Sequence, residues 1–370
     1  MTVTVKSFAK INLGLRIGPA REDGFHELLT VYQTIGPYDL IHVCMQRGSG
    51  IEIRCADPRV PRDDSNTCFR IADQVMSALG AKGRVVVEIE KRLPVQGGLG
   101  GASANAVSTL LGLERALRRT LSQDQRLQMA AAVGSDLPLF LVGGTVLGVG
   151  RGEQVFPLPD FPPTACVVVT PEIGVSTPGA FAEWDRIQGL KPPSSGQALK
   201  GRPSTASARS ARVMGSGADA ASLRLAGADE CVHPHTSSGK LTAPSSSDRM
   251  TELGYGLSAW LSEWYSGAPS KVRGGRAGNP LLALVRAGIE NDFEQVVFPE
   301  HPELGEVKRA LVRAGAKYAS LSGSGSTVYG LFGSGKAAAS AVSRLRKAGW
   351  TAQATSTLTR AQYWRLLYGT

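Results

Sequence analysis

Eleven residues, Pro94-Val95-Gln96-Gly97-Gly98-Leu99-Gly100-Gly101-Ala102-Ser103-Ala104, constrain this 370-residue chain more than any other stretch. They leave the β-rich run Val85–Ile89 and enter a segment from about Ala102 to Leu117, where Val107, Leu110, Leu111 and Leu113 recur at helical spacing. Strand, glycine loop and helix in that order suit anion binding. Glycines let backbone N–H groups approach a phosphate without side-chain clash, and a helix N-terminus adds unsatisfied amides and roughly half a positive charge. Taken alone the stretch also fits a flexible turn. It is not the Walker loop, because no Gly-x-x-x-x-Gly-Lys-[Ser/Thr] occurs; the nearest approach, Gly330 to Gly335-Lys336, continues with Ala337 and starts inside an apolar strand. Ser103 is placed to reach a phosphate oxygen or a metal ion.

Three other places carry chemistry. Leu321-Ser322-Gly323-Ser324-Gly325-Ser326-Thr327 lies between two apolar runs and reads either as a plain Ser/Gly turn or as a brace for the first glycine loop. In Phe8-Ala9-Lys10-Ile11-Asn12-Leu13 the two-residue period of a strand puts Lys10 and Asn12 on one face and apolar residues on the other. A lysine in a half-buried strand needs an anion, either a phosphate or a carboxylate such as Asp136 in Gly134-Ser135-Asp136-Leu137-Pro138. Otherwise Lys10 is a snorkelling edge residue and Asp136 a turn former.

Hydrophobic residues at 42% and charged residues at 19% describe a globular chain, and its length favours two lobes around a cleft. The net charge of +10 is spread without a Lys/Arg run or an aromatic ladder, so nucleic acid is not the expected partner. Cys44, Cys55, Cys68, Cys166 and Cys231 are widely spaced and odd in number, which argues for a reducing compartment. There is no signal-peptide core and no membrane-length apolar run, so the expectation is a cytoplasmic protein without a membrane partner.

Strands are expected at Thr2–Ser7, Leu28–Ile35, Leu40–Cys44, Val85–Ile89, Ala165–Thr170, Tyr318–Leu321 and Thr327–Phe332. Helices are expected at Asn66–Leu79, Ala102–Leu117, Gln123–Ala132, Leu253–Trp264, Glu303–Arg313 and Lys336–Lys347. Gly189–Ser247 is crowded with Ser, Ala, Gly, Pro and Arg and poor in large apolar residues; it reads as a weakly ordered insertion dispensable for folding. Ser266–Asn279 reads as a surface loop. Cys231-Val232-His233-Pro234-His235 lacks a distant fourth ligand and does not make a zinc site, and no metal-ligating residues are assigned.

Together, Ala9–Leu13, Asp23-Gly24-Phe25-His26-Glu27-Leu28, Pro94–Ala104, Gly134–Pro138, Asn291-Asp292-Phe293-Glu294 and Ser322–Thr327 resemble the GHMP kinases, in particular the branch acting on 4-diphosphocytidyl-2-C-methyl-D-erythritol. The resemblance covers about Val3–Trp184 and Thr251–Thr355. It implies an α+β, two-lobe fold: an N-terminal lobe like ribosomal S5 domain 2 over residues 1–160, an interlobe segment over 161–188, the insertion over 189–247, and a GHMP C-terminal α/β lobe over 248–370. It implies ATP and Mg²⁺ as cofactors and phosphorylation of the substrate's 2-hydroxyl in the non-mevalonate route to isoprenoids.

By the same resemblance Asp136 is the base, and Lys10 fixes its carboxylate and steadies the transferring charge. Pro94, Gly97, Gly98, Leu99, Gly100, Gly101, Ala102, Ser103 and Ala104 hold the nucleotide, with Asn66 near adenine. Asn12, Phe25, His26, Phe181 and Thr327 bind substrate: Asn12 holds the polyol, His26 reads the cytosine edge, and Phe25 and Phe181 stack on the base. The family usually has tyrosine where this chain has Phe25, which keeps the stacking surface and loses a hydroxyl. The competing readings are another GHMP kinase acting on mevalonate, homoserine or a sugar, or a non-catalytic binding module on a kinase scaffold. A monomer or homodimer is expected.

Overall fold

The computed structural model describes residues 2–189, 250 and 290–368. The expected helix Leu253–Trp264, the loop Ser266–Asn279, all but the first residue of Gly189–Ser247, and Cys231 with its neighbouring histidines lie outside the described residues.

Two unusually long strands organise the N-terminal half: β1 (Thr2–Ala20) and β2 (His26–Gln46) pair antiparallel. The sequence reading broke them into shorter runs because Gly14, Gly36 and Pro37 look like strand ends. They are instead register shifts. One falls between Phe8 and Ala9, opposite Gly36-Pro37, and another between Asn12 and Gly14. Beyond the first shift, Ala9, Ile11 and Leu13 enter an apolar core shared with the second sheet, while Lys10 and Asn12 face the cleft. The strands β3 (Gly50–Cys55), β4 (Arg84–Glu90), β5 (Thr145–Val149) and β6 (Gln154–Pro157) complete a six-stranded mixed sheet, in which β3 and β4 run parallel and the other pairs antiparallel.

One face of this sheet is covered by α1 (Thr67–Ala78), α2 (Gly101–Leu117), α3 (Gln123–Val133) and the short α4 (Leu137–Val142). Helix α2 is the central piece. Val107, Leu110 and Leu113 are fully buried, and a Cβ at Gly112 would come within 2.7 Å of Val43, so glycine lets the helix sit close against β2. Local chemistry fixes the neighbouring starts: Asn66 caps α1 by accepting from the Cys68 amide, and Ser122 with Gln125 forms a capping box on α3.

The second sheet has the order β10-β7-β9-β8, all antiparallel, from β7 (Ala165–Val169), β8 (Tyr318–Leu321), β9 (Val328–Phe332) and β10 (Ala352–Ser356). Around it lie α5 (Thr177–Ile187), α6 (Glu294–Glu300), α7 (Pro302–Arg313) and α8 (Gly335–Lys347). The last helix, α9 (Arg360–Leu367), crosses back to the first core: Tyr363 donates to the Phe140 carbonyl at 2.7 Å and the Trp364 indole to that of Val142 at 3.0 Å. The C-terminal residues therefore brace α4, although they follow the second lobe in sequence.

Asn291-Asp292-Phe293-Glu294 ties the two sheets together. Asp292 accepts from Arg16 and the Ile17 amide on β1, and Asn291 donates to the carbonyls of Leu321 and Gly323. Glu294 accepts from the Ser320 hydroxyl and the Leu321 amide. Tyr318 and Tyr329 donate to the Leu13 and Asn12 carbonyls, so β1 is held from both sides.

Candidate active site

A cleft of about 630 Å³ runs between the sheets, within the size range of small-molecule sites. At one end the chain turns from β4 into α2 through the glycine loop. Helix α2 has Gly100 as its N-cap and no side-chain cap, so its first amides are left for a ligand. Gly100 has φ of +70°, and a Cβ there would meet both Lys10 and Phe140 at 3.0 Å.

The second glycine loop backs the first. Ser322 donates to the Gly98 carbonyl at 2.9 Å, and the Thr327 amide to that of Gly97 at 3.1 Å. Gly98 is pressed so closely on this loop that a Cβ would sit 2.2 Å from the Ser322 carbonyl oxygen.

Mid-cleft, Lys10 Nζ lies 3.2 Å from Asp136 Oδ2 and 2.7 Å from Asn12 Oδ1. The lysine side chain is 4% exposed and the aspartate 31%, so the pair is held from the protein side and open from the cleft side. Asn12 in turn donates to Thr30, which donates to the Gly14 carbonyl. The other carboxylate oxygen, Asp136 Oδ1, accepts from the Tyr32 hydroxyl at 3.0 Å. Burial, then the Asp136 charge, holds the Tyr32 hydroxyl well above its ordinary pKa, so it stays a proton donor.

The far end is aromatic. His26 is buried, its ring stacked on Phe181 at 5.0 Å with 12° between planes, and its Nε2 lies 2.7 Å from Asp185 Oδ1. Phe25 is 51% exposed and carries the Arg151 guanidinium over its ring at 4.9 Å. A large apolar ring left open beside polar groups is what a planar ligand needs.

The cleft geometry has counterparts among known proteins. Residues 66–144 match the model for the GHMP kinases N terminal domain, and residues 279–349 the model for the GHMP kinases C terminal domain. A 4-diphosphocytidyl-2-C-methyl-D-erythritol kinase of Solibacter usitatus is 34% identical over 328 residues, covering 89% of this chain and 80% of that protein. The chain belongs to the 4-diphosphocytidyl-2-C-methyl-D-erythritol kinase family of the GHMP kinases. The family member of Geobacter sulfurreducens is 28% identical, covering 96% of this chain and 99% of its own. A crystal structure of a 4-(cytidine 5'-diphospho)-2C-methyl-D-erythritol kinase superposes with TM-score 0.62 at 25% identity, covering 96% of this chain and 99% of that one. A homoserine kinase from Cytophaga hutchinsonii, 16% identical with TM-score 0.61 over 97% and 95% of the chains, shares the fold.

Within this kinase fold the structure gathers Lys10, Asn12, Phe25, His26, Asn66, Pro94, Gly97–Ser103, Asp136 and Phe181 around one cleft. Two expected ligand residues stand elsewhere. Thr327 is fully buried, its amide bonded to the Gly97 carbonyl, so its place is behind the loop rather than in the cleft. Ala104 is 2% exposed inside the first turn of α2, where its side chain packs into the core. Asn66 lines the cleft with both side-chain groups engaged, Oδ1 on the Cys68 amide and Nδ2 on the Pro61 carbonyl. Phe181 gives one face to His26 itself. Sequence reasoning missed Tyr32, Asp185 and Arg151, each of which touches a residue it had named.

Proposed function

We propose that this protein moves the γ-phosphoryl group of ATP to the 2-hydroxyl of 4-diphosphocytidyl-2-C-methyl-D-erythritol, a step of non-mevalonate isoprenoid biosynthesis. The observation that carries this reading is the Lys10–Asp136 pair, set between the uncapped start of α2 and the His26–Phe181 stack. Phosphoryl transfer asks for positioning, for charge at the transferring group, and for a base on the attacking alcohol.

The α2 amides and the glycine loop bind the triphosphate. Asp136 takes the hydroxyl proton as the oxygen attacks γ-phosphorus and the bond to the β-phosphate oxygen breaks, releasing ADP. Lys10 holds the carboxylate and offsets the charge on the transferring oxygens. Asn12, fixed by Thr30, orients the polyol.

Among the described residues no group of three or more His, Cys, Asp or Glu is arranged to hold a metal ion. Mg²⁺ carried on ATP phosphates needs only one or two protein oxygens, and Ser103 would supply such an oxygen in this cleft. When bound, Mg²⁺ neutralises charge on the phosphates.

Base choice follows from His26. With Nε2 against Asp185, the neutral ring carries its proton on Nε2 and leaves Nδ1 as an acceptor. An acceptor suits the amino group of cytosine and meets a carbonyl oxygen in uracil. A buried polar reader left unpaired costs about 1–3 kcal/mol, so a uridylyl analogue is used at least roughly tenfold less efficiently. Among the described residues no helix is long and apolar enough to cross a membrane, and the proposed setting is the cytoplasm, as monomer or homodimer.

The test compares kcat/KM on the cytidylyl substrate, its uridylyl analogue, mevalonate and homoserine, in the parent, His26→Ala and Asp136→Asn. Expected are a cytidylyl preference that narrows in His26→Ala, and loss of turnover with ATP binding retained in Asp136→Asn. Better use of mevalonate or homoserine by the parent would overturn the assignment.

A further inference from the structure

The most polar stretch of the cleft floor contains a group that the mechanism above leaves without a task. Tyr32 sits on β2, paired with Asn12 on one side and Val146 on the other, and is 2% exposed. Its ring is packed where side chains have been cleared away. A Cβ at Gly148 would lie 2.5 Å from its Cε2, and one at Gly152 would lie 2.4 Å from its hydroxyl. Lys10 Nζ stands 5.6 Å from the ring centroid, within cation–π range. From this seat the hydroxyl reaches Asp136 Oδ1 at 3.0 Å, while Lys10 holds Oδ2 at 3.2 Å.

We propose that Tyr32 is a positioning residue for the base: its hydroxyl and the Lys10 ammonium grip the two oxygens of Asp136 and fix the plane of the carboxylate toward the attacking alcohol. The inference rests on the reading of Asp136 as the base.

A carboxylate of which one oxygen is tethered still turns about its Cβ–Cγ bond, whereas one with both oxygens tethered does not. Each oxygen has about two acceptor directions, so both retain a free one for the substrate hydroxyl. A phenol kept protonated by burial donates more strongly to an ionised carboxylate than to a neutral carboxyl, and so favours the proton-accepting form. It also loses no proton to the substrate or the carboxylate, so the proton budget of the transfer is unchanged: the alcohol proton goes to Asp136 and Tyr32 keeps its own.

The charged and titratable groups facing this pair are Lys10 from β1, Asp136 at the start of α4, and Arg151 and Glu153 from the turn between β5 and β6. Arg151 pairs with Glu153 at 3.7 Å, so that turn brings no unbalanced charge.

The decisive measurement is the pH dependence of kcat in Tyr32→Phe, which keeps the ring between Gly148 and Gly152 and removes only the donor. Losing a donor to the ionised form makes the base easier to protonate. The acid limb of kcat moves up by about one pH unit, kcat at the plateau falls about tenfold, and KM for ATP stays within about twofold. A purely structural tyrosine gives a different result: lower thermal stability, with the acid limb where it was. Gly148→Ala supplies a second route, because it displaces the ring without deleting the hydroxyl and is expected to move the limb the same way. An acid limb unmoved in both variants would overturn the assignment of Tyr32. Turnover surviving in Asp136→Asn would instead overturn the assignment of the base, so the two failures are told apart.

Discussion

Gly98 shows how a single absent side chain shapes the loop proposed to hold the nucleotide. Its φ of +74° lies in the left-handed region, and its would-be Cβ meets two carbonyl oxygens of the second glycine loop, Ser322 at 2.2 Å and Gly325 at 2.8 Å. Backbone oxygens cannot rotate away as a side chain would. Gly98→Ala must therefore separate the loops or distort the proposed phosphate cradle. The expected outcome is a KM for ATP raised at least about tenfold and a stability loss of about 1–3 kcal/mol, read by steady-state kinetics and thermal melting; an unchanged KM for ATP would show that the cradle does not depend on this contact. At this scale the sequence disclosed Lys10, Asn12 and Asp136 because polar residues inside apolar runs need a reason to be there. It did not disclose Tyr32, whose partner is 104 positions away and whose aromatic ring reads as ordinary core. The same distance hid Asp185, which lies 159 positions from His26.

Elements were legible where their ends are chemically marked. The helix expected over Asn66–Leu79 is observed as Thr67–Ala78 with those two residues as its caps, and the expected strand Tyr318–Leu321 is observed with the same bounds. The long strands β1 and β2 were read as fragments because glycine and proline mark strand ends in local logic, whereas here cross-strand pairing carries the chain through them. Helix α9 was missed for another reason. It is short, and its apolar side is completed only by packing on α4. Tyr363 stacks over Gly143, where a Cβ would lie 2.3 Å from the ring, and its hydroxyl bonds the Phe140 carbonyl. Because α4 starts at Asp136, loosening α9 frees the helix that carries the proposed base. Tyr363→Ala is expected to cost about 3–5 kcal/mol, as for other large-to-small changes at buried aromatics, and to lower kcat more than it raises KM for ATP. A melting temperature within a degree or two of the parent would show that α9 does not brace the first lobe.

For the molecule as a whole, the division into two sheets was legible from the alternation of patterns, while their joining was not. That joining depends on tyrosines of the second sheet used as donors to β1, Tyr318 to the Leu13 carbonyl and Tyr329 to that of Asn12; within the first lobe Tyr363 donates to the Phe140 carbonyl and Tyr32 to Asp136. All four hydroxyls are held above the ordinary tyrosine pKa, by burial first; nearby carboxylates add to it at Tyr32, Tyr318 and Tyr329, and the neighbouring Tyr368 adds to it at Tyr363. The consequence for stability has a definite sign. In the unfolded chain these phenols lose protons near pH 10, while in the folded protein they keep them, so above pH 10 the folded state binds more protons and its stability falls as pH rises. Below pH 10 the contribution is fully present. Each fully protected tyrosine removes about 1.4 kcal/mol per pH unit beyond its unfolded pKa, and four together remove about 5–6 kcal/mol per pH unit, against a total that for most proteins is about 5–15 kcal/mol. Cooperative alkaline unfolding is therefore expected about one to three pH units above 10. The check is to follow tyrosinate absorbance and far-ultraviolet circular dichroism together between pH 8 and 13. Part of the tyrosinate signal should appear only as the circular dichroism is lost, and in Tyr329→Phe that coupled part should shrink. If all eight tyrosines ionised in a single transition near pH 10 while the circular dichroism held, these buried donors would not be holding the fold together.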